Sequence, residues 1–151
     1  MSEVRLRAPE EGEAPRLKEI VQSAYAPYVK RIGGRPRPMD DDYGKLVRKG
    51  VLTVAEREGE VVGLVALERG DGEFSVDNLA VDPAHQGTGS GRALLLRAED
   101  EARIAGYDAV HLFTHETMTE SLALYERIGY VEYERRDVGA GSLVLMRKPL
   151  G

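Results

Sequence analysis

Apolar and polar positions along the first part of the chain change from strand-like alternation to helical spacing. Residues 4–7 alternate and predict a short first strand. A helix that begins near Pro15 is predicted by apolar residues spaced three, one, three, one and three positions apart, namely Leu17, Ile20, Val21, Ala24, Tyr25 and Tyr28. Glycines and prolines then predict a loop over residues 32–38, and a short helix follows at 43–47.

The middle of the chain has the pattern of three successive antiparallel strands. Residues 51–56 and 61–67 are apolar runs joined by a hairpin turn at 57–60, and a third strand covers 73–81. A glycine-rich loop and a helix follow this strand, and the helix has a single apolar face formed by Leu94, Leu95, Ala98, Ala102 and Ala105. The next strand, at 109–114, then implies a right-handed parallel crossover. The predicted sheet is therefore mixed.

The last part of the chain predicts one more helix and two strands. Thr117 and Glu120 have the spacing of a capping box, and the apolar residues after them continue one helical face that ends before Gly129. Residues 130–133 and 142–146 have strand patterns. Nothing in this order of elements suggests a repeat or a linker, so we expect a single domain over residues 1–151.

Composition narrows the class of protein without identifying it. The 151 residues are 42% hydrophobic and 31% charged, which is ordinary for a soluble domain. No apolar stretch approaches the ~20 residues that span a membrane, and residues 1–5 have no signal core, so we expect a cytoplasmic protein. The absence of cysteine excludes disulfides and a thiolate nucleophile. The net charge of −5 argues against nucleic-acid binding and is compatible with an amine partner.

The clearest candidate for a ligand-binding site is the loop that contains Gly87, Gly89 and Gly91. Alternate glycines allow successive backbone N–H groups to point the same way at a helix N-terminus, which favours a phosphate. The spacing does not match a Walker loop, because Arg92 follows where lysine is needed, and it does not match the dinucleotide fingerprint. A glycine-rich turn that only starts a helix is the alternative interpretation.

Two segments resemble the GNAT superfamily of N-acetyltransferases. Gln86, Gly89 and Gly91 form the Gln-x-x-Gly-x-Gly pattern that resembles the acetyl-CoA pyrophosphate loop of this superfamily. Residues 122–130 look like the later Leu-Tyr-Glu-x-x-Gly-Tyr segment. The resemblance covers residues 4–146, although the first third matches only in its order of elements.

The resemblance implies an α/β (α+β) fold with about seven strands in a splayed mixed sheet and four helices. Acetyl-CoA is then expected between the fourth and fifth strands, with no metal, and a homodimer is the default assembly. Pantetheine is a chain of amides, so an open strand edge can bind it. The residues expected to bind the cofactor are Leu79, Ala80, Val81, Gln86, Gly87, Thr88, Gly89, Ser90, Gly91 and Arg92.

The resemblance also implies an acid and a base for direct transfer to an amine. Tyr125 occupies the position of the family's tyrosine acid, although a core tyrosine is the alternative. Asp77 leads the candidates for the base because it shares a strand face with Ser75, whereas Asn78 points the other way unless a bulge intervenes. His115, with Glu116, is a second candidate that acts through water, and a water relay without one essential base is a third.

The sequence defines the pocket for the acetyl acceptor less well than the cofactor loop. Tyr25 and Tyr28 either belong to the helical core or line a substrate pocket. Many relatives carry asparagine seven positions before the helix tyrosine, where this chain has Met118. We therefore expect acetyl transfer to a small-molecule amine, with a protein or peptide N-acetyltransferase and a non-catalytic acyl-CoA sensor as alternatives.

Overall fold

The elements predicted from the hydrophobic pattern are present in a computed structural model, which describes residues 3–151. The strands are β1 (Arg5–Arg7), β2 (Leu52–Arg57), β3 (Glu60–Arg69), β4 (Phe74–Val81), β5 (Ala109–His115), β6 (Val131–Asp137) and β7 (Ser142–Pro149). The helices are α1 (Ala14–Ile32), α2 (Tyr43–Lys49), α3 (Ser90–Ile104) and α4 (Thr119–Ile128). None of the helices in residues 3–151 is long and apolar enough to cross a bilayer.

One mixed sheet holds all seven strands in the order β1-β2-β3-β4-β5-β7-β6. Every neighbouring pair is antiparallel except β4 and β5, which run parallel because the chain crosses over through α3 between them. The predicted mixed sheet with a splayed central pair and four helices is confirmed.

The two faces of the sheet bury separate apolar clusters. Leu17, Ile20 and Val21 of α1 belong to the cluster on one face, and Leu94 and Leu95 of α3 belong to the cluster on the other. All five side chains are fully buried. Burying each of them contributes roughly 1.5–3 kcal/mol, so the two apolar stripes fix which side of the sheet each helix covers.

The predicted capping box at the start of α4 is wrong. Met118 is the residue that precedes the helix, and no side chain caps it. The Thr117 hydroxyl instead lies 2.8 Å from His115 Nδ1, and the Glu120 carboxylate accepts from Arg31 at 2.7 Å. Both side chains therefore satisfy partners that lie outside the helix, and a local motif does not reveal those partners.

Candidate active site

The candidate site opens where β4 and β5 separate. The two strands pair only from Phe74 and Val110 to Val76 and Leu112. At this point β4 carries a β-bulge, because Ala66 and Leu67 of β3 pair with Asn78 and Val76 and leave Asp77 without a partner. A bulge bends its strand and increases the local twist. The edge of β4 after the bulge therefore has no strand partner on the β5 side within residues 3–151.

Two cavities meet in the opening. The first has a volume of about 620 Å³ and lies between the end of β4, the glycine-rich loop and α4. The second has a volume of about 250 Å³ and lies between the bulge, the end of β5 and the loop after α1. Four side chains line both cavities and so mark their junction: Tyr25, Leu79, Met118 and Tyr125.

The glycine-rich loop presents unpaired backbone donors to the first cavity. Gly87 and Gly89 have φ values of 80° and 92°, in the left-handed region that favours glycine. Within the described residues, none of the amides from Gly87 to Arg92 donates to a backbone carbonyl. No side chain caps α3 at its N-terminus. The loop therefore has the donors and the helix-dipole end that bind an anion such as a phosphate.

An arginine from a distant strand supports this loop. Arg57, at the end of β2, donates through Nε to the Ser90 hydroxyl at 2.9 Å and through a terminal nitrogen to the Thr88 carbonyl at 2.8 Å. Ser90 is almost fully buried. The guanidinium thus holds the loop and places a positive charge beside it. The sequence pattern places Arg57 in a hairpin turn and contains no signal for this contact.

The other predicted cofactor-binding residues also surround the first cavity. Leu79, Ala80 and Val81 line it from the open edge of β4, and Gln86 and Arg92 line it from the loop and α3. The Gln86 side-chain amide donates to the Val81 carbonyl at 3.1 Å, which ties the loop to the strand end. Arg92 also lines the cavity and makes no ion pair within residues 3–151.

Tyr125 lies at the junction of the two cavities. Its side chain is buried, and its hydroxyl makes no hydrogen bond to any described residue. Burial raises the pKa of this hydroxyl well above its ordinary value of 10.0, and the nearby Tyr28 adds to the effect. The group therefore keeps its proton at neutral pH. It is available as a donor to a ligand at the junction.

Tyr25 belongs to a hydrogen-bonded chain behind the junction. Its hydroxyl donates to Asn78 Oδ1 at 2.7 Å, and Asn78 Nδ2 lies 3.3 Å from the Tyr43 hydroxyl. The Tyr43 hydroxyl donates in turn to the Pro38 carbonyl at 2.5 Å. Asn78 reaches this network because of the bulge, since Val76 packs on the opposite face of the sheet. The sequence did not indicate that Tyr43 belongs to this network.

Asp77 and His115 both border the second cavity, and both have partners. The Asp77 carboxylate accepts from Arg37 at 2.9 Å. His115 Nδ1 accepts from the Thr117 backbone N–H at 3.2 Å, so the ring proton lies on Nε2, which is 2.5 Å from the Ala140 carbonyl. Both nitrogens of the imidazole are therefore engaged.

The remaining sequence candidates have distinct surroundings. Tyr28 lines the first cavity only, with the Arg31 guanidinium 5.1 Å from its ring centroid. Met118 lies at the junction, and its sulfur accepts from the Thr114 hydroxyl at 3.3 Å. Among residues 3–151 no cluster of histidine, aspartate and glutamate side chains is arranged to hold a metal ion.

Comparison with known proteins agrees with this geometry. Residues 15–130 match the model of the acetyltransferase (GNAT) family, so the chain belongs to that family. An IAA acetyltransferase from Azospirillum brasilense is 40% identical over 81 residues, which are 52% of this chain and 53% of that protein. The chain thus spans about half the length of this relative.

Two other proteins are similar over nearly their whole lengths. An S-(2-succino)cysteine N-acetyltransferase from Bacillus subtilis is 28% identical over 159 residues, covering 97% of this chain and 96% of that protein. The crystal structure of the PaiA N-acetyltransferase from Thermoplasma acidophilum in complex with coenzyme A has a TM-score of 0.82 at 18% identity, covering 97% of this chain and 99% of the other. At that identity the structural likeness concerns the fold.

Proposed function

We propose that this protein is an acetyl-CoA-dependent N-acetyltransferase that acts on the primary amine of a small molecule. One observation carries the proposal: a protonated tyrosine without an internal partner lies where an anion-binding cavity meets a second, smaller one. Family membership and relatives that are named as acetyltransferases support it.

The first cavity fits coenzyme A. The unpaired amides from Gly87 to Arg92 would hold the pyrophosphate, and the open edge of β4 at Leu79 to Val81 would pair with the amides of pantetheine. A Cβ added at Gly87 or Gly89 would meet no protein atom within 4 Å. The space above the loop is therefore open to a ligand.

Tyr125 supplies the acid in this proposal. When bound, acetyl-CoA provides an acetyl thioester that an amine attacks directly. The new C–N bond forms as the C–S bond breaks, and the departing sulfur needs a proton. The Tyr125 hydroxyl carries its proton at neutral pH and has no internal partner, so it can donate to the sulfur, and a positioned acid of this kind contributes about 10²–10⁴-fold to rate.

Asp77 is the proposed acceptor of the amine proton. Its carboxylate lies beside Arg37 and is the only one in the described lining of the second cavity. His115 is the second candidate and would need to exchange its Ala140 contact for a water. Tyr25 is proposed to position the amine, because it lines both cavities and donates its proton to Asn78, which leaves its oxygen able to accept.

An acyl-CoA-binding module without catalysis is the alternative function. The specific observation in its favour is that Asp77 and His115 both have internal partners, so neither is a ready base. A peptide acceptor is the other alternative, and the size of the second cavity argues against it, because about 250 Å³ is below the usual range for drug-sized ligands. The single-domain organisation and the homodimer remain predictions.

Thiol release tests the proposal. Acetyl-CoA is incubated with the protein and with amines of several classes, and free CoA is measured with a chromogenic disulfide, while CoA binding is measured by calorimetry. Turnover with a small amine supports the enzyme. Binding without turnover of any small amine or peptide supports the sensor. Absence of CoA binding contradicts the proposal altogether.

A further inference from the structure

We propose that the second cavity accepts a small primary amine that has a mostly apolar body and no carboxylate next to its amino group. This inference rests on the proposed acetyl transfer at the junction and adds the chemical class of the acceptor. Three features of the cavity support it: the balance of charge, the state of the polar donors and the character of the walls.

The charges at the cavity favour a cation. Arg37 is the only guanidinium in the described lining, and it donates to Asp77 at 2.9 Å and to Asp41 at 2.7 Å. Two carboxylates thus share one positive charge. An entering ammonium group meets an excess of negative charge, whereas a third carboxylate is repelled by the two already present.

Apart from Tyr125, whose hydroxyl is assigned above to the departing sulfur, the polar donors around the cavity are already used. Tyr25 donates to Asn78, and the Thr114 hydroxyl donates to the Met118 sulfur. The His115 Nε2 proton is directed at the Ala140 carbonyl. A carboxylate would therefore find no side-chain hydroxyl or imidazole donor among these groups, while the oxygen of Tyr25 can accept from an ammonium.

The walls are apolar and the volume is small. The apolar side chains of the lining include Ile32, Pro36, Val76, Phe113, Val138 and Leu143. A volume of about 250 Å³ suits an acceptor smaller than a typical drug. Because Asp77 is the only carboxylate in the described lining, a polyamine would place its second ammonium against apolar walls without a partner.

Three acceptors that share the 3-methylbutylamine unit and differ in the group next to the amine provide the test: isopentylamine, leucinamide and leucine. Their kcat/KM values are compared per unit of protonated amine, because the charge argument concerns the ammonium form that enters the cavity. We expect isopentylamine and leucinamide to be acetylated and leucine to be at least about 100-fold poorer, since like-charge contacts cost several kcal/mol and each 1.4 kcal/mol is tenfold. Leucine within about threefold of leucinamide would overturn the inference.

The variant Asp77→Asn tests the cause of the discrimination. It leaves Arg37 with a single carboxylate, so the ratio of kcat/KM for isopentylamine over leucine should fall at least about tenfold. Asp40→Asn is the matched control, because Asp40 pairs with Arg35 at 3.0 Å and does not line the cavity; its ratio should match the wild type. An unchanged ratio in Asp77→Asn contradicts the charge argument, whatever the variant does to overall rate.

Failure of the inference is distinguishable from failure of the proposed function. If CoA binds and an amino acid, a polyamine or a peptide is the best acceptor, acetyl transfer stands and the inferred class is wrong. If CoA binds and none of the three acceptors is turned over, the inferred class is also wrong. If calorimetry detects no CoA binding, the proposed function itself fails.

Discussion

Replacing Gly89 with aspartate introduces a carboxylate where the pyrophosphate is proposed to bind. Gly89 precedes α3 with φ 92° and ψ 1°, and a Cβ at this position meets no heavy atom within 4 Å. The change therefore causes no clash, although a side chain in this backbone conformation costs roughly 1–3 kcal/mol. Gly89→Asn is the matched control, because it has the same shape and the same strain without the charge.

The difference in CoA binding free energy between the two variants isolates the repulsion between the new carboxylate and the pyrophosphate. Two unit charges about 5 Å apart interact with about 1 kcal/mol in water and about 3 kcal/mol at an effective dielectric constant of about 20. The loop is exposed on one side and packs on the protein on the other, so the loss of CoA binding free energy lies between these two values. A range of about 1–3 kcal/mol corresponds to roughly 5- to 150-fold in Kd.

Calorimetric titration of CoA into wild type, Gly89→Asn and Gly89→Asp measures this difference. We expect Gly89→Asp to bind more weakly than Gly89→Asn by the factor above, and the gap to narrow as salt is added, because ionic screening weakens the repulsion. Thermal unfolding of both variants confirms that they are folded. Equal Kd values for the aspartate and asparagine variants would refute the assignment of this loop as the anion site.

Three further predictions follow from other parts of the structure. Tyr125→Phe should lower kcat about 100-fold or more with CoA affinity retained, as measured by thiol release and calorimetry, because it removes the proton donor and little else; full activity would exclude Tyr125 from the chemistry. Gly141→Ala should lower stability by roughly 1–3 kcal/mol in urea unfolding, since φ is 91° and the new Cβ lies 2.9 Å from the His115 ring; unchanged stability would contradict this packing. A hydrogen bond from Arg7 lowers the pKa of Glu13 below its ordinary 4.5, so the folded state binds fewer protons than the unfolded state. The ion pair therefore contributes its full stability above about pH 4.5, and this contribution is lost as the pH decreases. Glu13→Gln should make the free energy of unfolding depend less on pH in this acid range, and an unchanged dependence would contradict the ion pair.

Local pattern was sufficient to predict the frame that positions the site. The hairpin between β2 and β3, the strand that leads into the glycine-rich loop and the parallel crossover through α3 all depend on residues close together in the chain. The unpaired amides from Gly87 to Arg92 follow from the same local signal, since the alternate glycines allow the positive φ values that turn the loop into the helix. The candidate anion site thus depends on one short stretch of the chain.

Contacts between distant segments could not be predicted in this way. The apolar positions of β4 change phase at the two polar residues Asp77 and Asn78, which fits a bulge, but this change does not reveal that Asn78 turns toward Tyr25. The support that Arg57 gives to Ser90 joins residues that are 33 positions apart. Arg37 reaches Asp77 across 40 positions. Each of these depends on the completed fold, and the acceptor side of the site is built mostly from such contacts.

The central claim is that acetyl-CoA binds in the first cavity and delivers its acetyl group to an amine at the junction with the second. Single-turnover mixing of the protein with acetyl-CoA and isopentylamine, followed by mass spectrometry of the amine and titration of the released thiol, tests it most directly. The account predicts one acetylated amine for each thiol released, with both slowed together in Tyr125→Phe. Thiol release without acetylated amine, or no reaction with any amine despite tight CoA binding, would contradict it.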